Sequence, residues 1–170
     1  MSERVHVLAD AAIRVIAESG LRGLTYRAVD DEAGLPPGST SNRFRTRDQL
    51  VAGVVERMAD IELADLAEDA EDAFGKWSSD GLSQTLTRFE LMIESVRSPA
   101  IAEALHEQRG RFADVADASG AVHGYSGREL VALLAGLQFA EITTGEKILE
   151  KTLRLLLSAD GRDGEVSSNG

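Results

Sequence analysis

The chain has 170 residues, of which 43% are hydrophobic and 28% charged, with 18 basic against 29 acidic side chains and a net charge of −11. That length and apolar content suit one or two compact domains with a real core and exclude a chain disordered throughout. Cysteine is absent, which excludes disulfides, thiolate metal sites and cysteine nucleophiles; with no bilayer-length apolar run and no charged-then-apolar leader, the expected location is the cytoplasm.

The elements follow in chain order as helices. Val5, Leu8, Ala12, Val15 and Ile16 recur at three- and four-residue steps, and Ser19-Gly20 ends that first pattern. Thr25 is placed to cap a short second helix with Ala28, Val29 and Ala33 on its apolar stripe, and Gly34 supplies the backbone freedom that stops it. Pro36 and Pro37 fit the first positions of a third helix, where a missing N–H costs nothing. Its following residues, Gly38, Ser39, Thr40, Ser41, Asn42 and Arg43, are small or hydrogen-bonding, so it can lie close to base edges. This is a helix-turn-helix layout.

Thr46 and Gln49 form a capping box that opens a long helix whose stripe runs Leu50, Val54, Met58, Ile61, Leu66, Ala70, Phe74 and Trp77. Its acidic residues, Glu56, Asp60, Glu62, Asp65, Glu68, Asp69, Glu71 and Asp72, read as a solvated outer face. After the break at residues 78–81, Leu82, Leu86, Phe89, Ile93 and Val96 define another amphipathic helix, and Ser98-Pro99 restarts the chain as cap and first helical residue. Ile101, Leu105, Phe112 and Val115 continue, with Gln108 in an apolar slot. Residues 119–127 read as a loop, Ser126 and Glu129 as a second capping box, and Gly145 as a break before Ile148 to Leu157. The polar tail over 160–170 is expected to be disordered.

Charge divides along the chain. Over residues 1–50 seven arginines (4, 14, 22, 27, 43, 45, 47) meet seven acids (3, 10, 18, 30, 31, 32, 48), so the whole −11 lies beyond residue 50. An acidic body would be repelled by a duplex while the neutral head carries Arg43, Arg45 and Arg47 beside the third helix. For DNA contact the candidates are Thr25, Tyr26, Arg27, Pro37, Gly38, Ser39, Thr40, Ser41, Asn42, Arg43, Arg45 and Arg47. Asn42 suits a bidentate contact to adenine and Arg43 to guanine, whereas Thr25, Arg45 and Arg47 suit phosphate and Tyr26 the backbone. Leu24, Val29, Leu35 and Phe44 are spaced to form the head's small core.

At AAIRVIAESG (11–20), TYRAVDDEAGLPPGSTSNRF (25–44) and RTRDQL (45–50) the chain resembles the TetR family of transcriptional repressors. Start signal, turn glycine, second-helix glycine, Phe44 and basic Arg47 agree in order. The family's usual Tyr is Ser41 here, its common His falls at Asn42 and Arg43, and 170 residues is short for it. The resemblance implies an all-α protein with an N-terminal three-helix head over 1–50 and a helical effector-binding and dimerisation body over 51–159. It implies a homodimer that reads a palindromic operator and releases it on binding a small-molecule effector. The effector candidates are residues interrupting apolar faces of the body: Trp77, Phe89, Met92, Gln108, Phe112, Gln138 and Phe139. The most apolar helices lie last, so the expected dimer interface is Leu130, Leu134, Leu137, Leu149, Leu153 and Leu156.

Enzymatic readings find little support. Glu3 to His6 and Glu103 to His106 have the Glu-x-x-His spacing of helical di-iron proteins but lack the extra inward glutamates, so no metal is expected. No phosphate loop, dinucleotide fingerprint, zinc-protease motif or nucleophile elbow occurs, so neither cofactor nor catalysis is expected. The rival reading is a helical protein–protein interaction module that binds through residues 130–157 and has lost useful DNA contact.

Overall fold

The computed structural model describes residues 3–68, 82–119, 124–152 and 155, and every element among them is a helix. These are α1 (Glu3–Gly23), α2 (Tyr26–Glu32), α3 (Ser39–Arg43), α4 (Arg47–Glu68), α5 (Leu82–Ser95), α6 (Pro99–Ser119) and α7 (Gly127–Thr144). The chain is helical again from residue 149. Trp77 and Leu153, Leu156 and the tail over 160–170 lie outside the described residues. Among those described, no helix is long and apolar enough to cross a membrane.

Local chemistry explains the boundaries. Thr25 accepts the Ala28 N–H at 3.1 Å and caps α2, and Gly34 follows that helix at φ 64°. Thr46 accepts the Gln49 N–H at 3.1 Å, while the Gln49 amide oxygen reaches back to the Arg45 N–H at 2.8 Å, one residue earlier than a standard capping box. Ser126 and Glu129 close the full reciprocal box at the start of α7, and Gly145 caps its end. The N–H and hydroxyl of Ser126 also hold the Glu129 carboxyl below its ordinary range. Two boundaries differ in detail from expectation. The first helix breaks at Gly20 as expected, its backbone there being non-helical (φ 67°, ψ 177°), but a further helical turn follows directly to Gly23. Pro36 and Pro37 lie in the turn rather than in α3, because Gly38 in a left-handed conformation (φ 90°) takes the N-cap position.

Contacts divide the chain into two compact units, residues 1–108 and 109–170, the division falling inside α6. In the first, α1 buries Val5, Leu8, Ala12, Val15 and Ile16 against α2, α4 and, most extensively, α5. Leu24, Val29 and Phe44 are buried with Leu50, Val54, Met58 and Leu91, while Leu35 packs half-buried on the same cluster. Residues 1–50 thus share one core with α5 and the start of α6. Polar ties reinforce the packing. Arg57 grips Asp10 with two hydrogen bonds, at 2.7 and 3.1 Å, and the Thr87 hydroxyl donates to the Ile13 carbonyl at 3.0 Å.

Glu62 overturns one expectation. It is only 3% exposed and pairs with the half-buried Arg88 of α5, instead of belonging to a solvated acidic face. Position 62 lies four residues after Met58, on the buried stripe of α4, and a charge there is tolerated only with an opposite charge. Burial pushes the Glu62 carboxyl up, and the Arg88 guanidinium pulls against that rise.

In the second unit, Gly127 meets α6 so closely that a Cβ there would lie 2.1 Å from the Ala113 carbonyl oxygen. The Gly127 N–H donates to Asp117 at 2.5 Å. Leu130 and Leu149 are buried, and Glu141 accepts the Leu149 N–H at 2.7 Å. The side of α7 that faces out is another one: Ala132, Gly136, Phe139 and Thr143 are exposed at three- and four-residue steps. Leu130 and Leu149 are therefore turned away from the surface expected of them, while Leu134 and Leu137 are half-buried. A helix apolar nearly all round carries no sequence signal of which side turns in.

Candidate nucleic-acid interface

The helix that could enter a groove, α3, is five residues long. A helix that short has no stability of its own, so its neighbours must fix it. At its C-terminal end the Phe44 N–H donates to the Thr40 carbonyl at 2.8 Å, and the Phe44 ring lies over Gly53 of α4. A Cβ on Gly53 would come within 2.6 Å of that ring, so the glycine is what lets α3 and α4 approach.

At its N-terminal end the fixing group is Asp30, which the sequence patterns did not single out. Asp30 is 2% exposed; its carboxylate accepts the N–H groups of Gly38 and Thr40, each at 2.7 Å, and the Thr40 hydroxyl at 2.6 Å. Burial alone would raise its pKa, but the Thr40 hydroxyl and the N–H groups of Thr40, Gly38 and Ser39 outweigh burial and hold the carboxyl below its ordinary value. A depressed carboxyl stabilises the fold at every pH above its unfolded value, and that contribution is lost only as pH falls through the folded one. The α3 anchor therefore stays intact across the neutral range.

The candidate contact residues separate into those that face out and those the fold uses. Thr25, Arg27, Pro37, Asn42, Arg43 and Arg45 are exposed, and Tyr26, Gly38, Ser39 and Ser41 are half-buried. Thr25 and Arg27 sit at the start of α2, with Arg27 near Asp31 at 3.6 Å. The Ser39 hydroxyl donates to the Pro36 carbonyl at 2.7 Å and that of Ser41 to Gly38 at 3.2 Å. Tyr26 packs against the core cluster.

One candidate is corrected, and a second has another role in the fold. Thr40 is fully buried with its hydroxyl committed to Asp30, so it cannot touch a base. Arg47 is exposed, yet its guanidinium donates to the carbonyls of Leu24 and Leu21, both at 2.5 Å, and so clamps the end of α1 to the start of α4. Carbonyls at the end of a helix attract a cation as a phosphate would. Arg4 was missed. It is exposed, and its guanidinium reaches the Ser39 hydroxyl at 3.4 Å, which brings a further positive charge to the start of α3. Nothing in the local pattern of α1 marks it, since residues 4 and 39 meet only through the fold.

Of the effector candidates, Gln108 and Gln138 are buried, whereas Phe89, Met92 and Phe112 are half-buried. Phe89, Met92 and Gln108 lie in the first unit, Phe112, Gln138 and Phe139 in the second. Phe139 departs from the expectation: it is 50% exposed, on the outward strip of α7.

Comparison with known proteins gives a consistent result. Residues 8–54 match the family described as bacterial regulatory proteins, tetR family, and residues 62–159 match the tetracyclin repressor-like C-terminal domain. The HTH-type transcriptional regulator PksA of Bacillus subtilis (strain 168) is 37% identical over 67 residues, 35% of this chain and 33% of that protein. The shared segment thus spans about a third of that curated relative. A TetR-family member from Streptomyces coelicolor A3 has a TM-score of 0.77 at 26% identity, covering 93% of this chain and 98% of that one. The multidrug binding protein EbrR complexed with ethidium has a TM-score of 0.70 at 26% identity, covering 92% and 97%. Regulators of this kind are not enzymes. The all-helical fold, the helix-turn-helix and a C-terminal domain match covering more than half of the chain make it a member of the TetR family of DNA-binding transcriptional regulators.

Proposed function

We propose that the protein is a ligand-responsive repressor that binds a palindromic operator as a homodimer. The observation that carries the reading is the exposed pair Asn42 and Arg43 on a short helix anchored at both ends. Asn42 and Arg43 read adenine and guanine edges; Thr25, Arg27, Arg45 and Arg4 hold phosphates. Arg47 is left out, its guanidinium being engaged within the fold.

The test is selection of duplexes from a random pool, followed by titration as salt is raised. Wild type should prefer the selected duplex over a scrambled one, on a background that falls steeply with salt. Arg43→Ala and Asn42→Ala should each cost about 1–3 kcal/mol on the selected duplex and relax its sequence at one position per half-site. No preference for any duplex would favour the interaction-module reading.

For dimerisation, the exposed strip Ala132, Gly136, Phe139 and Thr143 is a better candidate than Leu130 and Leu149, with Ala132 and Gly136 small enough for close helix approach and Phe139 an apolar side chain to bury. A Cβ at Gly136 would meet nothing within 4 Å in the protomer. Gly136→Glu should therefore leave the protomer folded but set like charges against each other across a two-fold axis. That costs several kcal/mol of association, enough to give monomers in sedimentation. A folded variant that stays dimeric would point to a different face.

The effector is a small molecule that binds the acidic C-terminal body, with Gln108 or Gln138 as a buried polar contact. Its preference for the non-binding state lowers operator affinity, a coupling of about 1 to 3 kcal/mol in such systems. EbrR is described in complex with ethidium and with malachite green, which makes these dyes reasonable first probes.

A further inference from the structure

The two-helix motif is wrapped around one residue. The Asp30 backbone carbonyl accepts the Leu35 N–H at 2.9 Å, which closes the turn after α2, while its side chain takes Gly38 and Thr40 at the start of α3. From these positions Asp30 sets both where the turn ends and where the next helix begins. Gly38 is held in a left-handed conformation between them. Within α3 the Asn42 N–H bonds to Gly38 at 3.0 Å and the Phe44 N–H to Thr40 at 2.8 Å, bonds that hold the turn together but not to the rest of the protein. Asn42 and Arg43 thus hang between two tethers, the Phe44 ring at one end and the Asp30 carboxylate at the other. Removal of either lets the helix swing about the remaining one. Base-edge hydrogen bonds tolerate little displacement, whereas phosphate attraction falls off slowly with distance.

We infer that Asp30 is the positioning residue of the reading helix: the hydrogen bonds of its buried carboxylate to Gly38 and Thr40 fix the pose in which Asn42 and Arg43 meet the major groove. The inference rests on the DNA-reading function proposed above and adds to it a source of specificity that itself touches no nucleotide. It separates two properties that a contact residue would change together. Loss of the tether should lower discrimination between sequences, but leave the number of neutralised phosphates, and so the salt dependence, as it was.

The experiment compares wild type, Asp30→Asn, Thr40→Val and Thr40→Ser, all as the full chain. The probes are the duplex selected by wild type and a scrambled duplex, over a range of salt. Asp30→Asn should bind the selected duplex about 10- to 100-fold more weakly, the size of losing a hydrogen bond to a charged acceptor, with unchanged salt slope and unchanged affinity for the scrambled duplex. Thr40→Val, which loses only the hydroxyl, should show the same selective loss to a smaller extent, and Thr40→Ser should restore wild-type binding. If Asp30→Asn does not fold, Thr40→Val with its serine control decides the matter. Retention of wild-type discrimination by the folded variants overturns the inference, and so does a parallel loss on both duplexes or a changed salt slope. If wild type itself prefers no duplex, the DNA-reading function falls and the inference with it, an outcome distinct from variants that discriminate normally.

Discussion

Replacing Arg88 by alanine should destabilise the protein by about 3–5 kcal/mol, because it leaves the Glu62 carboxylate buried without its cation. Glu62 projects from α4 and Arg88 from α5, with side chains only 4% and 14% exposed. The intact pair need not add much to stability, since desolvating two charges costs nearly what their attraction returns; the large figure belongs to breaking it. The pH dependence gives the mechanism away. Burial raises the Glu62 carboxyl and Arg88 opposes that, so without Arg88 the folded-state pKa should rise further above the unfolded value. A carboxyl whose pKa is higher in the folded state favours folding where it is protonated and loses that advantage as pH rises through the folded value. The variant's deficit, measured from urea midpoints, should thus be smaller at about pH 5 than at about pH 8. Adding Glu62→Leu should recover much of the loss. A deficit that is flat across that window would mean Glu62 stays solvated.

Whatever depended on neighbours in sequence was legible from it. Thr25, Thr46, Ser98 and Ser126 announce helix starts because a hydroxyl reaches only an N–H two or three residues on, and Gly34 and Gly145 announce ends for an equally local reason. The apolar steps of α1 likewise identified Val5, Leu8, Ala12, Val15 and Ile16 as core. Charged and polar groups were harder, since a charge reads as surface until its partner is known. Glu62 finds Arg88 after 26 residues, Asp30 finds Thr40 after 10, and Arg47 finds the carbonyls of Leu24 and Leu21 after 23 and 26. Glu62 was assigned to solvent and Arg47 to DNA by residue type, and Asp30 was not singled out, yet each is engaged by a tertiary contact that no periodicity encodes. The outward strip of α7 escaped for a different reason: where nearly all positions are apolar, the small residues Ala132 and Gly136 mark the exposed side only once Leu130 is seen to point inward.

Phe44 is where core packing and DNA reading meet, and truncating it should cost about 3–5 kcal/mol. The ring is 7% exposed and shares the cluster with Leu24, Val29, Leu50 and Val54. Its loss opens a cavity under α3, a helix too short to hold itself. Phe44→Ala should therefore abolish sequence-specific binding even at temperatures where α1 and α4 remain folded. The neighbouring glycine offers a sharper check. In wild type a methyl group on Gly53 would press to within 2.6 Å of the ring, so Gly53→Ala should destabilise despite the better helix propensity of alanine. Once the ring is removed the three nearest contacts of that methyl are gone, and Gly53→Ala should then stabilise by about 0.5–1 kcal/mol, the helical preference of alanine over glycine. The sign of one substitution thus reverses with the residue at position 44, a coupling that urea denaturation of the four proteins in the cycle measures directly. Additive effects would mean that the Phe44 ring does not lie on Gly53, and the tether at the C-terminal end of α3 would have to be sought elsewhere.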